Sequence, residues 1–153
     1  KLSNLYLLFI DAFYAEGQQK EIPDWLSELQ NIQELHLRDF ELKEIPQAIF
    51  SLKKLRILDL GHNALSEIPN QIEALSSLEY LNLETNNISS LPESFGTLSQ
   101  LKQLNLYYNS LSTFPRIVLL LPDLRWLELA FNPFPVTNKL KKFLSRRNGY
   151  ARA

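Results

Sequence analysis

Five segments of the chain, opening at Ile32, Leu55, Leu78, Leu101 and Leu124, carry one pattern at a constant interval of 23 residues. So short a unit has too few apolar side chains to bury a core alone, so each turn must lean on its neighbours and the chain must stack into a solenoid. The unit at Leu78 reads Leu78-x-x-Leu81-x-Leu83-x-x-Asn86-x-Ile88, followed by Leu91-Pro92-x-x-Phe95-x-x-Leu98. Its neighbours repeat this frame as Leu55, Leu58, Leu60, Asn63, Leu65, Ile68-Pro69, Ile72, Leu75 and as Leu101, Leu104, Leu106, Asn109, Leu111, Phe114-Pro115, Val118, Leu121. The Leu-x-Leu alternation is a strand signal, with leucines inward and the x residues outward. An array of amphipathic helices needs apolar spacing near 3.6 and has no room for prolines in frame.

This frame resembles the leucine-rich-repeat family, in its roughly 23-residue class with an Ile/Leu-Pro pair in the second half, found in bacterial proteins and in eukaryotic Ras-associated scaffolds. The resemblance covers about residues 5 to 134 and implies an α/β solenoid: a right-handed, curved horseshoe segment of about six repeats, with a parallel β-sheet on its concave face. It further implies that Asn63, Asn86, Asn109 and Asn132 form an asparagine ladder whose amides satisfy backbone groups of neighbouring turns. Pro23, Pro46, Pro69, Pro92 and Pro115 are expected to fix an extended return path on the convex side, where no ladder donor is needed.

Phe13 and Phe40 stand where the first two ladder asparagines belong, and two aromatics in adjacent turns are expected to stack. The first unit is also longer, running from Leu5 to Ile32, and the surplus falls around Glu16-Gly17-Gln18-Gln19 as a tolerated loop. After Asn132-Pro133-Phe134 the period breaks. Thr137 to Arg147 reads as an amphipathic cap helix with Leu140, Phe143 and Leu144 inward, so residues 135–153 form a cap helix and tail on the 1–134 solenoid. No comparable cap is evident before Leu5. Ile117, Leu119 and Leu120, apolar where other units are polar or small, are expected to touch the cap helix.

Any binding surface on such a stack is read across the repeats, since sequence-distant outward residues become neighbours. One column is Leu7, Glu34, Ile57, Tyr80, Gln103, Trp126; the next is Phe9, His36, Asp59, Asn82, Asn105, Glu128. The last two are Asp11, Arg38, Gly61, Glu84, Tyr107, Ala130 and Ala12, Asp39, His62, Thr85, Tyr108, Phe131. Tyr80, Tyr107, Tyr108, Trp126 and Phe131 therefore gather at the C-terminal half, where exposed rings serve protein interfaces as anchors. Asn82, Glu84, Asn105 and Glu128 are expected to orient a partner around them.

A secondary constellation sets His36 beside Asp59 and Asp39 beside His62, with Arg38 and Arg56 nearby. Imidazole with carboxylate suits metal ligation or proton transfer. An open sheet surface, however, provides no desolvated pocket, no nucleophile and no oxyanion donors, so the expectation is surface charge pairing, with no catalytic residue, metal or cofactor.

Composition narrows the remaining classes. Without cysteine the chain has no disulfide, thiolate chemistry or cysteine-ligated zinc, which fits a reducing compartment and a bacterial exported protein equally. No run of eighteen apolar residues is present, which excludes a helical membrane span. Lys1 opens the chain and methionine is absent, so a leader removed earlier would leave no trace and the compartment stays open. All 17 acidic residues lie at or before Glu128, whereas Lys139, Lys141, Lys142, Arg146, Arg147 and Arg152 follow it. An acidic body with a basic tail disfavours nucleic acid, which is held mainly by Lys and Arg on phosphate. The expected function is a non-catalytic protein-interaction module that binds on the concave face. The alternatives are a glycan or cell-surface binder, which aromatic platforms also serve, and the recognition fragment of a larger enzyme or bacterial effector.

Overall fold

Each repeat supplies one three-residue strand: β1 (Leu7–Phe9), β2 (Glu34–His36), β3 (Ile57–Asp59), β4 (Tyr80–Asn82), β5 (Gln103–Asn105) and β6 (Trp126–Glu128). The computed structural model describes residues 5–9, 22, 24–138, 142 and 150–152. All strands are parallel and pair in chain order, with Leu8, Leu35, Leu58, Leu81, Leu104 and Leu127 in register along the middle of the sheet. Because side chains alternate across a strand, this register turns the central leucines inward together. Leu35, Leu58, Leu81 and Leu104 are fully buried, as are Leu37, Leu60, Leu83 and Leu106 two residues on.

The return path differs from the extended one expected. After each of β1 to β5 it is a five-residue 3-10 helix: η1 (Asp24–Glu28), η2 (Gln47–Ser51), η3 (Asn70–Ala74), η4 (Glu93–Thr97) and η5 (Arg116–Leu120). Pro46, Pro69, Pro92 and Pro115 sit immediately before η2 to η5, where the fixed ring φ starts the turn and no N–H is needed. A 3-10 helix rises about 2.0 Å per residue against 1.5 Å for an α-helix, so it spans the convex side with the few residues that a 23-residue unit has left. The third residue of each helix, Leu26, Ile49, Ile72, Phe95 and Val118, points into the core. On the convex surface Ile117 and Leu120 lie over η4, where a Cβ on Gly96 would meet the Ile117 Cδ1 at 3.0 Å and the Leu120 Cδ1 at 3.4 Å. The missing side chain at Gly96 makes room for them against the preceding turn, and the contact expected with the cap helix lies outside the described residues.

The asparagine ladder is continuous. Asn86 accepts the Leu65 N–H at 3.0 Å and donates to the carbonyls of Leu60 and Leu83, each at 3.0 Å. Asn109 accepts from Ile88 at 3.0 Å and donates to Leu83 at 2.9 Å, and Asn132 accepts from Leu111 at 3.0 Å and donates to Leu106 at 2.8 Å. Asn63 does more, because the turn before it has Phe40 in the ladder position: its Oδ1 accepts from both Phe40 and Leu42, at 3.1 and 3.0 Å. Phe40 is buried; Phe13, the Glu16 to Gln19 loop and nearly all of the expected cap helix lie outside the described residues. The tail contributes a strand that sequence patterning does not announce, β7 (Tyr150–Arg152), which pairs parallel with β6 in the register Trp126 to Tyr150 and Glu128 to Arg152. Among the described residues no helix is long and apolar enough to cross a membrane.

Candidate functional site: the concave face

The register places the outward residues in the expected columns, with Glu34, Ile57, Tyr80, Gln103 and Trp126 in line and His36, Asp59, Asn82, Asn105 and Glu128 beside them. Of the five predicted rings, three come together. Tyr107 meets Phe131 edge-on with centroids 5.1 Å apart, and Tyr108 lies 6.2 Å from Tyr107 and 6.3 Å from Phe131. Tyr108 and Phe131 are 57% and 69% exposed, which is far more than a shielding role requires. Tyr80 and Trp126 stand in the first column on either side of Gln103, half-buried, and extend the aromatic surface without joining the trio. Burial, then the nearby Asp59 and Glu84 carboxylates, push the Tyr80 phenol above its ordinary value.

The polar residues around the rings are less available than their outward positions suggest. Asp59, Asn82, Asn105 and Glu128 are all buried. Each accepts a backbone N–H two residues on: Gly61 to Asp59 at 2.9 Å, Glu84 to Asn82 at 3.1 Å, Tyr107 to Asn105 at 3.0 Å and Ala130 to Glu128 at 3.0 Å. The amides also tie rungs together, Asn82 donating to Asp59 at 3.0 Å and Asn105 to Glu84 at 2.8 Å. This column is a second ladder that turns the chain out of each strand. The sequence signal for it is an acid or amide recurring two residues before the turn, a position that favours side-chain to backbone pairing.

Arg38 organises the charged part of the face. Its guanidinium lies 3.2 Å from Asp59 and donates to Glu84 at 2.6 Å. Burial pushes the Glu84 carboxyl up, but the hydrogen bond and charge of Arg38, the Asn105 amide and His62 together hold it below its ordinary value. His36 stands 3.8 Å from Asp59, and His62 stands 3.9 Å from Asp39 and 3.5 Å from Glu84, so each histidine lies beside its expected carboxylate. Arg56 lies in the column preceding the strands and pairs with Glu79 at 2.8 Å, which also takes Lys102 at 2.6 Å. Hydrogen bonds from Arg56 and Lys102 bring the Glu79 carboxyl down to about 2. Sequence reasoning set Arg56 near the His–Asp pairs and missed this triad, which the 23-residue spacing of Arg56, Glu79 and Lys102 would have revealed. Among the described residues no group of three His, Asp or Glu side chains is arranged to hold a metal ion.

Backbone geometry adds one more column. Asp39, His62, Thr85, Tyr108 and Phe131, each just before the ladder position, have φ of 59, 55, 53, 51 and 59°. None is glycine, and for a β-branched or bulky side chain this region is strained. Two of the three clustered rings are therefore presented from left-handed positions.

No curated protein matches the chain in sequence. Among solved structures, a Leptospira interrogans LRR protein superposes with a TM-score of 0.83 at 29% identity, over 99% of this chain and 38% of that one. An internalin from Listeria monocytogenes superposes at 0.72 with 23% identity, over 85% of this chain and 37% of that one. The plant peptide hormone receptor RGFR1, in complex with RGF2, superposes at 0.63 with 30% identity over 72% of this chain and 19% of that one. The chain thus spans well under two thirds of each of these proteins. The leucine rich repeat model matches residues 30–88 and 86–134, the same turns that form the ladder and the sheet, and the chain belongs to the leucine rich repeat family.

Proposed function

We propose that the chain is a non-catalytic module that captures a protein partner on the concave face of its C-terminal half. The observation that carries this reading is the contiguous trio Tyr107, Tyr108 and Phe131, two of whose rings are more than half exposed on a rigid sheet. Such rings bury a large area at small entropic cost, as interface anchors do. Tyr80 and Trp126 extend the surface, and Glu84 with Arg38 flanks it, whereas Asn82, Asn105 and Glu128 serve by holding the strand ends in place. The RGFR1 structure, a receptor in complex with RGF2, supports the use of this fold for binding a polypeptide. Among the described residues of the face none is arranged as a nucleophile with its base, which favours capture over catalysis.

The test is a pull-down from lysate with the intact chain and with a Tyr107→Ala, Tyr108→Ala, Phe131→Ala variant shown by circular dichroism to be folded. A protein retained by the intact chain and lost from the variant supports the reading. Equal retention by both moves the interface off this face. Retention that free sugars abolish replaces the protein partner with a glycan.

A further inference from the structure

The charges around the rings indicate what kind of segment the face takes. Resting on the concave-face reading above, we infer that the partner docks through a basic segment, with Lys or Arg side chains over the strand ends and an apolar side chain on the Tyr107, Tyr108 and Phe131 shelf.

At the strand ends and in the turns that follow, the outward residues include the carboxylates of Asp39, Asp59, Glu84 and Glu128 against the single guanidinium of Arg38, whereas Glu34 stands at the start of β2. That guanidinium is shared between Asp59 and Glu84. Asp39 stands on the turn with its side chain 70% exposed. Glu128, which holds the end of β6, is 9% exposed next to the shelf with its Oε1 accepting the N–H groups of Leu129 and Ala130, so it adds negative charge beneath the face and is not itself a direct contact. The opposite rim, where the strands begin, is basic: Arg56, Lys102 and Arg125 line it, and Glu79 pairs with the first two. The face is therefore polarised, acidic at the strand ends beside the rings and basic at the strand starts. A cationic side chain set at the strand ends meets carboxylates and also the π-faces of Tyr107 and Tyr108, which favour cations. An acidic segment there meets like charge.

The far field agrees, since the body up to Glu128 is acidic, and a basic segment is steered toward it at low salt.

The experiment is selection from a random peptide display library on the intact chain, repeated on the folded ring variant and on an Asp39→Asn, Glu128→Gln variant. The latter keeps the Glu128 oxygen that caps the turn and an Asn that accepts the left-handed φ at residue 39. The expected winners are enriched in Lys and Arg. A synthesised winner should bind the charge variant about five- to tenfold more weakly and lose affinity as salt rises, the combined loss of one exposed pair at Asp39 and of the buried Glu128 charge beneath the face. Winners without basic enrichment that the ring variant fails to bind overturn the inference and leave the concave-face reading standing. Winners that the ring variant binds equally well overturn both, and a selection without winners overturns the inference while the pull-down decides the reading beneath it.

Discussion

The Arg38 guanidinium hydrogen-bonds the Glu84 carboxylate two strands away, at 2.6 Å, by passing over Gly61 on the strand between them. A Cβ built on Gly61 would lie 2.9 Å from the Arg38 Nη1, 3.1 Å from the Asn82 Nδ2 and 3.2 Å from the Asp59 Oδ1. The glycine is a notch in the face, and the ion pair that fills it links three successive turns, reaching past the nearest-neighbour contacts on which a solenoid is built.

Gly61→Ala is therefore expected to displace Arg38 and to cost about 1 kcal/mol in urea unfolding, given that the pair is partly exposed. The same substitution in an Arg38→Ala background should cost less, because the tightest of the three contacts, the Arg38 Nη1 at 2.9 Å, is then gone while those to Asn82 and Asp59 remain. Equal costs in the two backgrounds would show that the notch serves the backbone and not the ion pair.

Asn109→Ala removes an amide that serves Ile88, Leu83 and Leu106 of two turns, all buried. Leaving these backbone groups without partners should cost about 3 kcal/mol. Asn109→Asp should cost more, since an ionised carboxylate would face the Leu83 and Leu106 carbonyls. Asn132→Ala, at a half-buried rung that water can reach, should cost about half as much as Asn109→Ala. Urea midpoints of the three variants check the order.

The repeats, the strand register and the ladder were legible in the sequence because a 23-residue period fixes which residues stack, and one unit read correctly is all of them read correctly. The 3-10 helices were not, since the prolines mark where the return path starts and say nothing of its pitch. At the site the columns placed Tyr107, Tyr108 and Phe131 together, yet column membership does not distinguish a free side chain from one folded back onto its own backbone. That is why Asn82, Asn105 and Glu128 looked available and are buried, and why the reach of Arg38 over Gly61 needed the geometry. β7 escaped notice because Ala151 stands where the other strands carry leucine.

Stability should fall as the solution is acidified. Glu79 titrates at about 2 and Glu84 below its ordinary value of 4.5, so both are depressed in the folded state. Their contribution is present in full above the unfolded value and disappears as the pH falls through the folded ones, a window from about 5 down to about 2. Urea midpoints across that window should drop, less steeply in Glu79→Gln and less steeply at high salt, since Glu79 sits in an exposed triad. A midpoint that is flat through this window in the wild-type chain would show that the two carboxylates gain nothing from their cations on folding.

Thr85 and Tyr108 occupy equivalent positions in adjacent turns, at φ of 53 and 51°, and separate strain from function. A left-handed conformation costs an ordinary residue about 1–2 kcal/mol, and asparagine much less. Thr85→Asn keeps the backbone bond from residue 85 to the Tyr107 carbonyl and should raise stability by about 1 kcal/mol, a gain of a few degrees in Tm with partner capture unchanged. Tyr108→Asn relieves the same strain but gives up ring contacts with Tyr107 and Phe131, worth about as much. Its Tm should stay near that of the wild type while capture is lost. A strained aromatic that stability would not miss is best explained by what it binds, and a Tyr108→Asn chain that melts normally and still captures its partner removes that explanation.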